Sequence, residues 1–195
     1  RETSENVGGA RLTRSTVMIV DDDPGVLDTY SAWLSGTYDL LTASDGEEAL
    51  DTMHKDVSVI LLDRRMPGMS GREVLDEIRD SDYDPRVAVV TAVEPEFEVI
   101  GMGFDAYLVK PVTKDELTET VEKLLKRVEY GEKLIEYHSL VSKKVLFEGK
   151  KTDEELANSD EYARLNERLE QVESRVDEIS REMSADGFKS VVRDI

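Results

Sequence analysis

The chain has 195 residues, enough for one ordinary domain with an extension or for two small domains. Its 44 acidic and 25 basic residues leave a net charge of −19, spread along the chain, which argues against a broad nucleic-acid footprint. With no cysteine, it has no disulfide, thiolate nucleophile or thiolate metal site.

No apolar run approaches the ~20 residues that span a bilayer. Residues 1–15 are polar and lack the apolar segment of a signal peptide. They are expected as a flexible N-terminal tail, and the chain as cytoplasmic, with no membrane association. A surface this acidic suits high salt, where the Debye length falls to roughly 3 Å at 1 M. The composition therefore reads as halophilic, with an acidic mesophilic protein as the alternative.

From residue 16 onward, short apolar runs alternate with amphipathic stretches. The first run, Val17-Met18-Ile19-Val20, ends in Asp21, Asp22 and Asp23. Asp23 is suited to cap a helix over 24–35, with Pro24 at its first position. A second run covers 38–43, and Ser44-Asp45-Gly46-Glu47 has capping-box spacing ahead of a helix over 46–54. The third run, 57–62, ends in Asp63 and the Pro/Gly turn Arg64-Arg65-Met66-Pro67-Gly68-Met69-Ser70-Gly71. A helix over 71–80 follows, then a fourth run over 86–92 containing Thr91 near its end. A short helix is expected over 96–101, and a fifth run, 106–109, ends in Lys110-Pro111. His54, at a helix end, and His138, beside Tyr137, have no neighbours that point to chemistry.

Five β units alternating with helices predict a parallel, doubly wound sheet with right-handed crossovers. In such sheets ligands bind at the C-terminal strand edge. Asp21, Asp22 and Asp63 converge there and repel one another unless a cation joins them. Hard oxygen ligands open to water suit Mg²⁺. Beside such a cation, one carboxylate can accept a phosphoryl group. Thr91 can donate a hydrogen bond to that group, and the Lys110 ammonium can pair with it.

The last third reads as helix. A helix-favouring stretch from Asp115 to about residue 148 carries Leu117, Val121, Leu124, Val128, Leu134, Ile135, Val141 and Val145. A polar connection over 149–159 allows a short helical turn after Thr152. Tyr162, Leu165, Leu169, Val172, Val176, Ile179 and Met183 then recur at alternating spacings of three and four, a heptad seam. The seam fits either a homodimeric coiled coil or an intrachain hairpin, and two hairpins can join as a four-helix dimer. Asp186-Gly187 is expected to stop this helix.

The segments VMIVDDDP, ASDGEEAL, VILLDRRMPGMSG, VAVVTA and DAYLVKP closely resemble the receiver domain of two-component response regulators. The resemblance implies a five-stranded, flavodoxin-like receiver domain over 16–126. It implies Asp63 as phosphoacceptor, Asp21 and Asp22 with Asp63 and the Arg65 backbone carbonyl as Mg²⁺ ligands, and a sensor histidine kinase as partner. Thr91 maps onto the family's switch hydroxyl, Tyr107 onto its aromatic switch, Lys110 onto its phosphate-pairing lysine, and Lys110–Pro111 is expected cis. The Arg65 side chain is a candidate for setting the lifetime of the phosphorylated state. Only 18 residues separate Thr91 from Lys110, so the receiver surface commonly used for activated dimerisation is expected to be altered.

The paired-helix pattern after the receiver is similar to the HalX domain of haloarchaeal response regulators. Residues 127–187 are expected as that domain, an α-helical hairpin or coiled coil, and 188–195 as a tail. Val112 to Ile195 carries 21 acidic and 15 basic residues and no helix-turn-helix pattern, so charge does not support direct DNA binding even where transcriptional regulation is the output. A homodimer or another protein partner through the C-terminal helices is the alternative. Taken together, these readings give a non-enzymatic response regulator. Two other readings remain: a phosphohydrolase of the haloacid dehalogenase type with Asp21 as nucleophile, and a phosphorylation-independent coiled-coil scaffold.

Overall fold

A computed structural model of the chain describes residues 14–95 and 101–193, with side chains described as far as residue 185. The expected N-terminal tail falls outside the described residues except for its last two positions, and the helix expected over 96–101 does so except for Gly101. The chain divides into two compact units, Arg1–Thr118 and Glu119–Ile195.

The first unit is built on β1 (Thr16–Val20), β2 (Asp39–Ala43), β3 (Val57–Leu62), β4 (Arg86–Thr91) and β5 (Ala106–Val109). They form one parallel sheet in the order β2-β1-β3-β4-β5. Helices α1 (Pro24–Leu34), α2 (Gly46–Thr52) and α3 (Gly71–Asp80) alternate with the strands. The central strands β1, β3 and β4 are almost wholly buried, as near-continuous Val/Ile/Leu runs require. The edge strands β2 and β5 are only partly covered, so burial on both faces holds for the middle of the sheet alone. Met18, Val20, Ile60 and Leu62 join Ala49, Val74, Leu75 and Ile78 in one cluster beneath α2 and α3. Val17, Ile19, Val59 and Leu61 alternate with them and point to the opposite face.

The helix starts follow from their caps. Asp23 accepts from Gly25 N at 2.8 Å, with Pro24 at the first helical position. The cap of α2 sits one residue later than the sequence spacing suggests. Asp45 accepts from Glu48 N at 2.8 Å, and Glu48 reaches back to Ser44 N at 2.7 Å. Asp45 and Glu48 offer the same acceptor spacing as Ser44 and Glu47, and the carboxylate of Asp45 makes the cap. Because α2 ends at Thr52, His54 lies beyond it and accepts from Asp56 N at 3.3 Å. Ser70 and Glu73 form a reciprocal capping box on α3.

At the N-terminal edge of the sheet, Arg79 closes a network that sequence reading missed. Its guanidinium donates to Gly103 O at 2.8 Å, Pro85 O at 2.9 Å and Asp105 Oδ2 at 3.1 Å. Asp105 also accepts from Val87 N at 2.9 Å and Arg86 Nη1 at 3.2 Å. The end of α3 and the starts of β4 and β5 are thereby tied together.

Three helices complete the chain: α4 (Lys114–Glu148), α5 (Asp153–Ala157) and α6 (Asp160–Arg193). Thr113 and Glu116 cap α4 reciprocally, and Thr152 and Glu155 do the same for α5. Arg175 binds Glu129 through two nitrogens at 2.7 and 2.8 Å, and Arg168 reaches Glu136. Tyr162 donates to Glu148 at 2.7 Å. These pairings run in opposite directions along α4 and α6, so the heptad seam is covered by an antiparallel hairpin within the chain. Val172 and Ile179 are its buried anchors. Helix α6 does not stop at Asp186-Gly187 but continues to Arg193. Glycine costs a helix about 1 kcal/mol relative to alanine without breaking its hydrogen bonds, and Gly68 is the glycine with a positive φ among the described residues.

In Gly71→Ala the added methyl would run into the Asp63 carbonyl, whereas no described residue lies near a methyl on Gly36. Denaturant titration should place Gly71→Ala about 1–3 kcal/mol below wild type, with Gly36→Ala close to it. In the hairpin, Ile179→Ala should lose about 2–5 kcal/mol. Arg175→Ala should lose no more than about 1 kcal/mol, because the pair with Glu129 is open to water. Comparable losses from both would refute an apolar basis for the hairpin.

Candidate functional site

Strand pairing brings the candidate residues together. Val20 sits in register with Leu62, so Asp21 and Asp63 leave neighbouring strands side by side. Asp63 N bonds Val20 O at 2.9 Å, and Asp21 N bonds Ala43 O at 3.1 Å, which extends the ladders just past the strands. Thr91 sits in register with Val109, and Lys110 N donates to Thr91 O at 2.8 Å. The chain runs from β1 outward to β2 and then back across to β3, so the acidic residues lie at the sheet's switch point, where ligands bind in this architecture.

Carboxylate oxygens of Asp21, Asp22 and Asp63 lie within 4.8 Å of one another, with Asp21 and Asp63 buried and Asp22 exposed. The Lys110 ammonium bridges the buried two, 2.5 Å from Asp21 Oδ2 and 3.1 Å from Asp63 Oδ2. The remaining oxygens accept from backbone: Asp21 Oδ1 from Asp23 N at 3.0 Å, and Asp63 Oδ1 from Arg65 N at 3.3 Å. One ammonium facing three carboxylates leaves an uncompensated negative charge. That charge, with one carboxylate open to water, fits a small divalent cation.

The electrostatics follow from burial and pairing. Burial raises the Asp21 carboxyl pKa, and its bonds with Lys110 and Asp23 reverse this only in part. For Lys110 burial acts first in the lowering direction, but the bonds and charges of Asp21 and Asp63 outweigh it and raise the ammonium's pKa. Tyr30 on α1, a residue the sequence did not single out, is 6% exposed. Burial raises its phenol pKa, and the charges of Lys110, Asp21 and Asp63 all reach it.

Thr91 is 1% exposed, and its hydroxyl is buried without a hydrogen-bond partner among the described residues. A buried unmet donor is costly, and an acceptor oxygen entering at this edge would satisfy it. Tyr107 points its hydroxyl at Val93 O at 2.8 Å, with its ring centroid 5.5 Å from that of Phe104. Sequence reading missed Phe104, whose only signal was an aromatic three residues before Tyr107. The Lys110–Pro111 bond is cis, as expected. The Asp23 carboxylate and His138 take no part in the cluster: that carboxylate caps α1 while its backbone N serves Asp21, and the His138 carbonyl accepts from Ser142 within α4.

This sheet order, with the acidic cluster at its switch point and Thr91 and Lys110 at the neighbouring strand ends, defines a CheY-like receiver fold. The response regulator receiver domain matches residues 17–122 and the HalX domain residues 126–192, so the chain belongs to the response regulators and joins a receiver to a HalX domain. It is 44% identical over 163 residues to a Haloferax volcanii protein named as a transcriptional regulator, covering 83% of this chain but only 28% of that protein. A CheY-like receiver domain protein from Methanospirillum hungatei is similar in structure, with a TM-score of 0.55 and 27% identity, covering 60% of this chain and 98% of that one. The response regulator TrrA of Thermotoga maritima, in complex with Mg²⁺-BeF, matches at a TM-score of 0.50 and 33% identity, covering 56% of this chain and 98% of that one.

The raised Asp21 pKa carries a prediction. The folded chain holds this proton more tightly than the unfolded chain, so the associated stability is complete below the ordinary value of 3.8 and is lost as pH rises through the raised one. Asp21→Asn should therefore melt above wild type at neutral pH without divalent cations, and the gap should close in acid. A lower melting point for the variant at neutral pH would contradict this.

Proposed function

We propose that Asp63 accepts a phosphoryl group from a histidine kinase and that Asp21, Asp22, Asp63 and the Arg65 carbonyl hold Mg²⁺. The observation that carries this reading is the Lys110 ammonium bridging Asp21 and Asp63 beside the unpartnered Thr91 hydroxyl. When bound, the cation offsets the charge of the carboxylates and of the phosphoryl oxygens during in-line transfer.

The chain's own residues do the rest. A carboxylate oxygen of Asp63 attacks phosphorus, and the phosphorus–nitrogen bond to the donor imidazole breaks, its electron pair leaving with the ring. Lys110 turns from the Asp63 carboxylate to the new phosphoryl oxygens, which carry roughly −1.5 to −2 charge if they ionise as on other phosphorylated side chains. Thr91 donates to one of them and draws the segment after β4 with it. Tyr107 already grips that segment through Val93 O, so the two residues bias one two-state element. The exposed Arg65 side chain reaches the incoming group and sets how long it persists.

The haloacid dehalogenase reading requires Asp21 as nucleophile with Asp23 as its partner. The Asp23 carboxylate caps α1 outside the cluster, while that of Asp63 stands inside it, which favours Asp63. We further assign the HalX hairpin as the output module, acting in the cytoplasm in transcriptional regulation through contacts with a second copy or another protein. The receiver is assigned to 16–126 and the HalX domain to 127–187, with α6 running on past that boundary to Arg193.

Acetyl phosphate with Mg²⁺ should add one phosphoryl group per chain, and Asp63→Asn should take up none by intact mass. Label on Asp21 would favour the hydrolase, and an unchanged cellular response in Asp63→Asn would favour the scaffold. Mg²⁺ should raise the wild-type melting point and leave Asp21→Asn almost unmoved. Arg65→Ala should change the dephosphorylation rate several-fold, and equal rates would remove that side chain from the account.

A further inference from the structure

Large apolar side chains are scarce on the described surface, and most of those present lie close together. Val145, Leu146 and Phe147 are 62%, 55% and 46% exposed, and they are consecutive at the C-terminal end of α4. At about 100° per residue they spread over roughly 200° of the helix, more than one partner helix can cover. The structure accordingly leaves them to solvent, although exposing three such side chains together is unfavourable.

The same ten residues reverse the charge of the chain. Residues 142–151 hold four lysines and one glutamate, a local charge of +3 in a chain of −19. Lys151 pairs with Glu155 at 2.9 Å. Lys143, Lys144 and Lys150 have no ionic partner among the described residues. Basic residues elsewhere on the hairpin behave otherwise: Lys126, Lys133, Arg168 and Arg175 each hold a carboxylate. Acidic residues are abundant in this chain, so three lysines left unpaired around an apolar centre form a distinct surface.

We propose that residues 142–151, at the turn of the hairpin, dock an acidic protein segment that carries apolar side chains. An apolar centre with a charged rim is the anatomy of a protein interface. The free lysines supply complementarity, steering an acidic partner and rejecting basic ones. DNA is the poorer fit, because phosphates make no use of the apolar centre and three lysines give a small electrostatic footprint. A second copy is also poorer. A two-fold contact that set the lysine-bearing faces of these turns against each other would oppose lysines to lysines. The proposal does not depend on phosphorylation of Asp63.

The full chain can be titrated with a fluorescein-labelled amphipathic helical peptide of glutamate, with leucine and phenylalanine on one face, and read by anisotropy and backbone amide shifts. Binding should move the amides of residues 142–151, and the double variant Leu146→Asp, Phe147→Asp should weaken it at least ~10-fold. Lys143→Glu with Lys144→Glu should weaken binding strongly at low salt and less at molar salt, where the apolar contact remains. Tyr83→Ser, which also removes an exposed ring, should change nothing. The substituted side chains are solvent-exposed apart from the half-buried Lys144, and unchanged circular dichroism would confirm that each variant keeps its helices. Absent binding, equal binding by the leucine–phenylalanine double variant, or equally tight binding of polyglutamate would each overturn the proposal. Displacement of the peptide by duplex DNA would make this a nucleic-acid surface instead. A dimer in sedimentation that the same substitutions dissolve would make it a self-association surface.

Discussion

The first unit is organised by a conflict of charge. Three carboxylates are gathered at the edge shared by β1 and β3, and one ammonium answers them. Left to themselves these groups would separate, so the sheet must hold them. It does so through hydrogen bonds that extend both strands one residue past their ends and through a turn packed tightly enough that only glycine fits at position 71. The dense apolar middle of the sheet supplies the stability that the edge gives up. Strained charge at a functional edge, supported by an ordinary core, is how many sites hold their reactivity.

The two edges of the sheet are finished differently, and the contrast is informative. At the N-terminal edge Asp105 meets two guanidinium groups and a backbone amide, so its acceptors are well used. At the C-terminal edge the Thr91 hydroxyl is buried without a hydrogen-bond partner among the described residues, and Lys110 bridges Asp21 and Asp63. Arg86 Nε is also buried without a partner among the described residues, so it is the company of three carboxylates and an ammonium that sets the Thr91 hydroxyl apart. Tyr107 links the edge to the segment that follows β4, since its hydroxyl already holds Val93.

Much of the receiver was legible because its signals are local. Short Val/Ile runs ending in Asp21, Asp63, Thr91 and Lys110 identify strands and strand ends without any knowledge of packing. Less legible were features that depend on tertiary company. The cap of α2 falls on Asp45, since two acceptors offered equivalent spacing and the backbone chose between them. The Arg79–Asp105 network joins residues 26 apart, which no periodicity announces. Phe104 and Tyr30 matter through what they touch or feel. The heptad seam was visible, but whether it pairs within a chain or between chains depends on which helix is nearer, and the connection over 149–159 is short enough to favour the intrachain hairpin. Asp186-Gly187 misled because glycine weakens a helix without necessarily ending it.

The hairpin shows what an acidic chain can use its few basic residues for. Arg168 and Arg175 pair across the helices, and because these pairs are half-open to water they set register more than stability. Any rise in salt screens them further. The seam through Val172 and Ile179 is insensitive to that screening and must carry the hold between the helices. The same reasoning applies outward. A surface meant to work in high salt cannot rely on lysines alone, and the turn of the hairpin places its free lysines around Val145, Leu146 and Phe147. Charge there can choose the partner and speed its approach, while the apolar contact keeps it.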